Sequence, residues 1–184
     1  MKSQQGNNHN QSEQPVNLTT KHYQELTESA IAPNIATLNF KSLEGIEPTE
    51  RLTSFLPRSE RRNDGRLRNR HIAKYAHTEK GGFWCKTTDP LTGSESNWGA
   101  FKPNKPRSYN DHGKQKKIKY ETPIKTRTRT FCPLVDLETW ELIAARYDLF
   151  LPENVNSCED GQALGFWQWA VTTPGVPLII TEGA

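Results

Sequence analysis

Two short runs on either side of a turn constrain this chain most. Gly81-Gly82-Phe83-Trp84-Cys85-Lys86 and Asn97-Trp98-Gly99-Ala100-Phe101-Lys102 flank the turn signal Asp89-Pro90-Leu91-Thr92-Gly93. Aromatic-rich runs bounded by Pro, Gly and Asp read as two strands of a hairpin with a longer loop. Trp98 and Phe101 are expected in its core. Apolar residues are otherwise scarce: they make up 33% of the 184 residues, and mean hydropathy is −0.82. The length suffices for one domain with a real core, but so polar a chain is expected to leave some segments disordered or held by partners.

Around the hairpin the pattern changes several times. Residues 1–16 are rich in Asn and Gln and read as a disordered tail. Thr20–Ile31 carries Tyr23, Leu26 and Ala30 at helical spacing, with Pro33 as a stop. Ile35–Phe40 reads as a short helix or an extended segment, and 56–70 as an exposed basic loop turning at Asn63-Asp64-Gly65. After the hairpin comes a Pro/Asn/Gly-rich basic loop, Lys102–Lys114, then expected strands at Lys117–Glu121 and Arg127–Leu134. Leu137, Trp140, Ile143, Ala144 and Tyr147 predict an amphipathic helix with Asp136 as N-cap. Ser157 and Asp160 read as an acidic variant of a capping box before a second helix through Ala163, Phe166, Trp167, Ala170 and Val171. Pro174-Gly175 ends that helix, and Pro177–Thr181 is an apolar, β-branched run of the kind found in buried parallel strands.

A parallel strand needs a crossover connection, so the chain is expected to be the front part of something longer. The fold expected is α+β: a mixed small β-sheet region with peripheral helices, leading into the first strand of an α/β unit. The divisions expected are a tail at 1–18, a basic α+β region at 19–134, and a helical segment with that strand at 135–184.

Charge is unevenly spread. The formal net charge is +3, yet residues 102–129 hold ten Lys/Arg against Asp111 and Glu121, a net +8. Residues 51–74 hold eight basic residues against two acidic ones, a net +6, which leaves the rest of the chain at −11. Two such blocks point to a polyanion, nucleic acid ahead of membrane. The plainer alternative is a pair of solvated faces. Lys102, Lys105, Arg107, Lys116, Lys117 and Lys119 are the candidate phosphate contacts, and interleaved aromatics such as Tyr109 and Tyr120 are candidates to stack on unpaired bases.

Cys85, Cys132 and Cys158 are far apart and show no C-x-x-C spacing, and the five His are scattered. Free thiols in a cytoplasmic protein fit better than disulfides or zinc. No run approaches the length of a membrane span, and no signal peptide is recognisable, so neither membrane insertion nor secretion is expected. Neither a phosphate-binding P-loop nor a dinucleotide fingerprint is present.

Glu182-Gly183 follows the last apolar run. A carboxylate at the carboxyl end of a parallel strand can hold a divalent metal or move a proton. The alternative is an ordinary acid and turn glycine at a strand end.

Ile118-Lys119-Tyr120-Glu121-Thr122-Pro123 resembles the Pro-Lys-Tyr element in the basic subdomain of bacterial DnaG-type primases, which precedes a strand ending in Glu-Gly that opens their TOPRIM catalytic fold. The wider order is Ser29-Ala30-Ile31-Ala32-Pro33, Leu38-Asn39-Phe40, Gly81-Gly82-Phe83-Trp84, Trp98-Gly99-Ala100-Phe101-Lys102-Pro103, Lys119-Tyr120-Glu121, Phe166-Trp167 and Thr181-Glu182-Gly183-Ala184. Over residues 22–184 it resembles the N-terminal domain of cyanobacterial plasmid replication proteins of the CyRepA type. That resemblance implies a primase region followed by a helicase ATPase in cis, acting on single-stranded DNA and nucleotides with Mg2+. It implies Glu182 as the catalytic and metal-binding glutamate and Lys119 and Tyr120 as template-facing; Lys102 and Arg107 join them by charge. TOPRIM chemistry also needs a downstream Asp-x-Asp pair, which this sequence does not contain after Glu182. The chain by itself is therefore expected to bind template and to be catalytically silent. The alternatives are a non-enzymatic nucleic-acid-binding or replisome-interaction protein and, last, a small metal-dependent nuclease.

Overall fold

The computed structural model describes residues 14–127, 129–152 and 165–178. Its centre is a three-stranded antiparallel sheet of β1 (Phe40–Leu43), β2 (Gly82–Thr88) and β3 (Glu95–Pro103), with β2 in the middle. The hairpin expected from the sequence is β2–β3. Its register sets Trp84 opposite Phe101 and Cys85 opposite Ala100, and shifts between Lys86 and Thr88 as the strands reach their longer loop.

Successive side chains of a strand point to opposite faces. Phe83 and Cys85 join Phe40 beneath Leu18, Leu26 and Ala36, from the N-terminal segment and helices α1 (Thr20–Glu28) and α2 (Pro33–Asn39). Trp84 and Phe101 point the other way. They pack with Leu43, with Leu52 of α3 (Glu47–Leu52) and with Tyr75 of α4 (Asn69–Tyr75). Both faces of β2 are thus covered, and its apolar run is continuous instead of alternating. Two glycines make room for the aromatics. A Cβ on Gly82 would stand 2.7 Å from the Phe101 ring and 2.2 Å from the Lys102 carbonyl oxygen; one on Gly99 would stand 2.6 Å from the Trp84 indole.

A second cluster forms between α5 (Leu137–Arg146) and α6 (Phe166–Thr172). Trp140, Ala144, Trp169 and Ala170 are buried there, and the Trp140 and Phe166 rings meet edge to face at 5.7 Å. Asp136 caps α5 as expected, its Oδ1 accepting the Thr139 N–H at 2.7 Å. Burial pushes the Asp136 carboxyl up, but the hydrogen bonds from Thr139 and Asn34 outweigh it and hold it below its ordinary value.

Two expectations for strands change. The ladder expected at Lys117–Glu121 is displaced: β4 (Ser108–Asp111) pairs with β5 (Lys114–Lys117), and the chain then leaves the ladder until Glu121 forms an isolated bridge to Phe101. No strand forms among the described residues of Arg127–Leu134. Pro133 has no N–H to give, and side chains take the place of a neighbouring strand. The Cys132 N–H donates to the Thr87 hydroxyl at 2.8 Å, and the buried Asn39 amide exchanges two bonds with Leu134, at 2.8 and 2.6 Å. Pro177 and Leu178 carry no strand, and the rest of the run expected there lies outside the described residues, as do the tail to residue 13, the Ser157–Asp160 capping box and Glu182.

The molecule is therefore α+β, with small antiparallel sheets and several helices. No helix among the described residues is long and apolar enough to cross a membrane. Cys85 and Cys132 are free and buried.

Candidate nucleic-acid interface

The basic stretch after β3 divides into residues held by the core and residues that leave it. β4 and β5 form a two-residue hairpin. Its turn residues, His112 and Gly113, have φ of 49° and 82°, the left-handed pair that a type I′ turn requires. The Asn110 side-chain oxygen accepts the Gly113 N–H at 2.8 Å. Seven of the eight strand residues are exposed and none is buried. Tyr109 stands opposite Lys116, and Asp111 opposite Lys114, on one face; Ser108, Asn110, Gln115 and Lys117 share the other. Tyr109 is 45% exposed. Lys116 reaches diagonally to Asp111 at 2.5 Å. Lys114 and Lys117 form no ion pair among the described residues, nor do Lys105 and Lys119 beside the arm, and all four are exposed.

The base of this arm is tied down by charge. Arg107 grips Glu121 with two bonds, Nε to Oε1 at 2.6 Å and Nη2 to Oε2 at 3.0 Å. His77 Nε2 meets the same Oε1 at 3.2 Å. Glu121 is 4% exposed, so its carboxylate needs these partners to offset the loss of water. On either side of the arm, Ile118 donates its N–H to the Arg107 carbonyl at 2.9 Å, and Glu121 exchanges two backbone bonds of 2.8 Å with Phe101. Arg107 is therefore the arm's anchor to the sheet.

Lys102 and Tyr120 also belong to the body. Lys102 pairs with Glu25, and its ammonium lies 5.6 Å from the Phe83 ring centre and 5.8 Å from that of Tyr120. The hydrogen bond it donates to the Glu25 carboxylate holds its pKa above the ordinary lysine value. Tyr120 is half-buried against the Phe40–Phe83 cluster, and burial pushes its hydroxyl up. Of the sequence candidates, Lys105, Lys116, Lys117 and Lys119 stand at the surface, whereas Lys102, Arg107 and Tyr120 are built into contacts with the core.

The first basic block is largely spent on its own loop. Arg61 donates to the Thr53 carbonyl at 3.1 Å, and Arg68 to the Ser59 and Arg61 carbonyls at 3.1 and 3.3 Å. Arg70 pairs with Glu60, and Arg51 with Glu47 while lying over the Trp84 ring. These guanidiniums brace a segment with little apolar material of its own.

Sequence reasoning missed the arm itself and the buried Glu121. The arm's signal was Asn110-Asp111-His112-Gly113, a tight-turn tetrad inside what read as a loop. For Mg2+, Glu182 lies outside the described residues, and no three His, Cys, Asp or Glu side chains among the described residues gather as a metal site. The described residues thus supply no donor set for the metal.

No family model and no solved structure matches the chain. It is 44% identical over 168 residues to an uncharacterised protein of Picosynechococcus sp.. That alignment covers 91% of this chain and 16% of the relative, so the chain spans about a sixth of the length of the curated relative it matches.

Proposed function

We propose that this chain is the template-gripping region of a DNA replication primase and holds single-stranded DNA along the β4–β5 arm. The observation that carries this reading is the arm itself. An isolated two-stranded hairpin is marginal in water unless it has an apolar face to bury. This one buries none of its strand residues, yet it is closed by a two-residue turn and anchored through Arg107 to a buried carboxylate. A basic, projecting ribbon that adds nothing to the core has phosphates as its natural partner. The exposed Tyr109, with lysines on the same face, favours a single strand over a duplex, because unpaired bases can stack on it.

The primase assignment rests on the order of motifs that resembles the CyRepA-type proteins; the similarity to a far longer, uncharacterised protein bears on the length of the parent and not on its activity. The TOPRIM-like strand, Glu182 as its catalytic carboxylate, Mg2+ and a helicase domain in cis remain part of the same proposal for the parent protein. In it the described residues bind template, and catalysis resides elsewhere.

Fluorescence anisotropy with a labelled oligothymidylate tests the binding. The 184-residue chain is compared with Lys116/Lys117/Lys119→Glu at two salt concentrations. Wild type binds, weakens steeply with salt, and exceeds the variant by about tenfold or more. Equal binding by the two proteins would remove the reading in favour of an interaction protein that does not use this surface.

A further inference from the structure

Beside the base of the arm a cleft of about 190 Å3 opens between α1 and the turn after β3. Lys21, Glu25, Lys102, Asn104, Pro106 and Lys119 are among the residues that line it. Its floor is fixed. The Asn104 side-chain oxygen accepts from Lys21 Nζ at 3.0 Å and faces His22 Nε2 at 3.0 Å, while its amide nitrogen donates to the Lys80 carbonyl at 3.3 Å. His22 is 4% exposed, and its Nδ1 lies 2.7 Å from the Ser42 hydroxyl. That hydroxyl accepts the Thr19 N–H at 2.8 Å and lies 3.5 Å from the Thr19 hydroxyl. The chain of bonds holds Asn104 and Lys21 in one place.

The charges around this floor do not balance. Lys102 is matched by Glu25. Lys21 spends one N–H on a neutral amide, and Lys119 has no ion pair among the described residues. Each ammonium carries three donors and no acceptor. Two cations therefore line one small cleft with donors left over and no carboxylate of their own among the described residues.

We propose that this cleft binds a phosphate group between Lys21 and Lys119. The phosphate can come from the backbone of a DNA strand passing onto the β4–β5 arm, which rests on the template-gripping reading, or from the polyphosphate of a free nucleotide, which does not. Lysine serves either as a point charge, and the cleft has room for a phosphate, since a water occupies only about 30 Å3.

Two-dimensional 1H–15N NMR of the 184-residue chain separates the cases. One titration uses inorganic tripolyphosphate; the other uses oligothymidylate with a 5′-hydroxyl end. Shifts of the Asn104 side-chain amide and the Lys119 backbone amide with tripolyphosphate support the nucleotide source. Shifts with the oligonucleotide alone support the strand source. In either case Lys21→Gln/Lys119→Gln, two exposed changes that leave the rest of the spectrum in place, weakens the response by about tenfold. If both probes leave the cleft unmoved, or the double variant responds as wild type does, the site is refuted. Oligonucleotide shifts confined to Ser108–Lys117 would refute it while leaving the template-gripping reading intact.

Discussion

Arg107 and Lys117 carry the same charge, but their surroundings give them different work. Arg107 neutralises a carboxylate that is nearly sealed from water. Arg107→Ala leaves Glu121 with His77 alone and is expected to cost on the order of 3 kcal/mol, read by urea unfolding. Lys117→Ala changes stability by about 0.5 kcal/mol or less and weakens DNA binding instead. A sequence lists both as cations, since burial of a partner such as Glu121 is a tertiary fact. Cys85 makes a second case. Burial pushes its thiol up to about 12, although the nearby Lys102 charge opposes the shift. At pH 8 the thiol is protonated and covered, so a disulfide exchange reagent should label it only as fast as the protein opens. Fast labelling without denaturant would contradict its place under α1 and α2.

Secondary-structure elements were legible in proportion to the periodicity they carried. The β2–β3 hairpin was readable because its aromatics and turn signal are dense, and α5 because Leu137, Trp140 and Ala144 keep helical spacing behind an Asp cap. α3 and α4 have six and seven residues, too few for a period to register. The arm carries no apolar alternation and was concealed by its own charge. Asp136 allows a pH test of α5. Its folded pKa lies below the ordinary aspartate value of 3.8, so capping stabilises fully above that pH and is lost as pH falls through the lower folded value. Asp136→Ala should cost about 1 kcal/mol near neutrality, with the gap to wild type closing below pH 3.8. A gap that persists at lower pH would mean the carboxylate charge is not what caps the helix. Gly82→Ala tests the sheet. Its Cβ would meet backbone and a buried ring, and a loss of about 1–3 kcal/mol is expected from overpacking. No loss would place the Phe101 ring elsewhere.

At the scale of the molecule, two basic blocks that look alike in the sequence divide into a brace and an arm. Arginines of 51–74 hold carbonyls and carboxylates of their own loop, whereas Lys105, Lys114, Lys117 and Lys119 leave their charge to solvent. Most of the buried apolar residues among the described residues line the two faces of β2 or the α5–α6 contact. The account depends most on those four exposed lysines meeting phosphates. The direct measurement is the slope of log affinity for oligothymidylate against log salt, for wild type and for a chain in which a short Gly-Ser link replaces Ser108–Lys117. Four phosphate contacts on a single strand predict a slope of about −3. The shortened chain, which lacks Lys114 and Lys117, should fall to about half that slope and keep its unfolding midpoint. The same slope and affinity in both proteins would contradict the account.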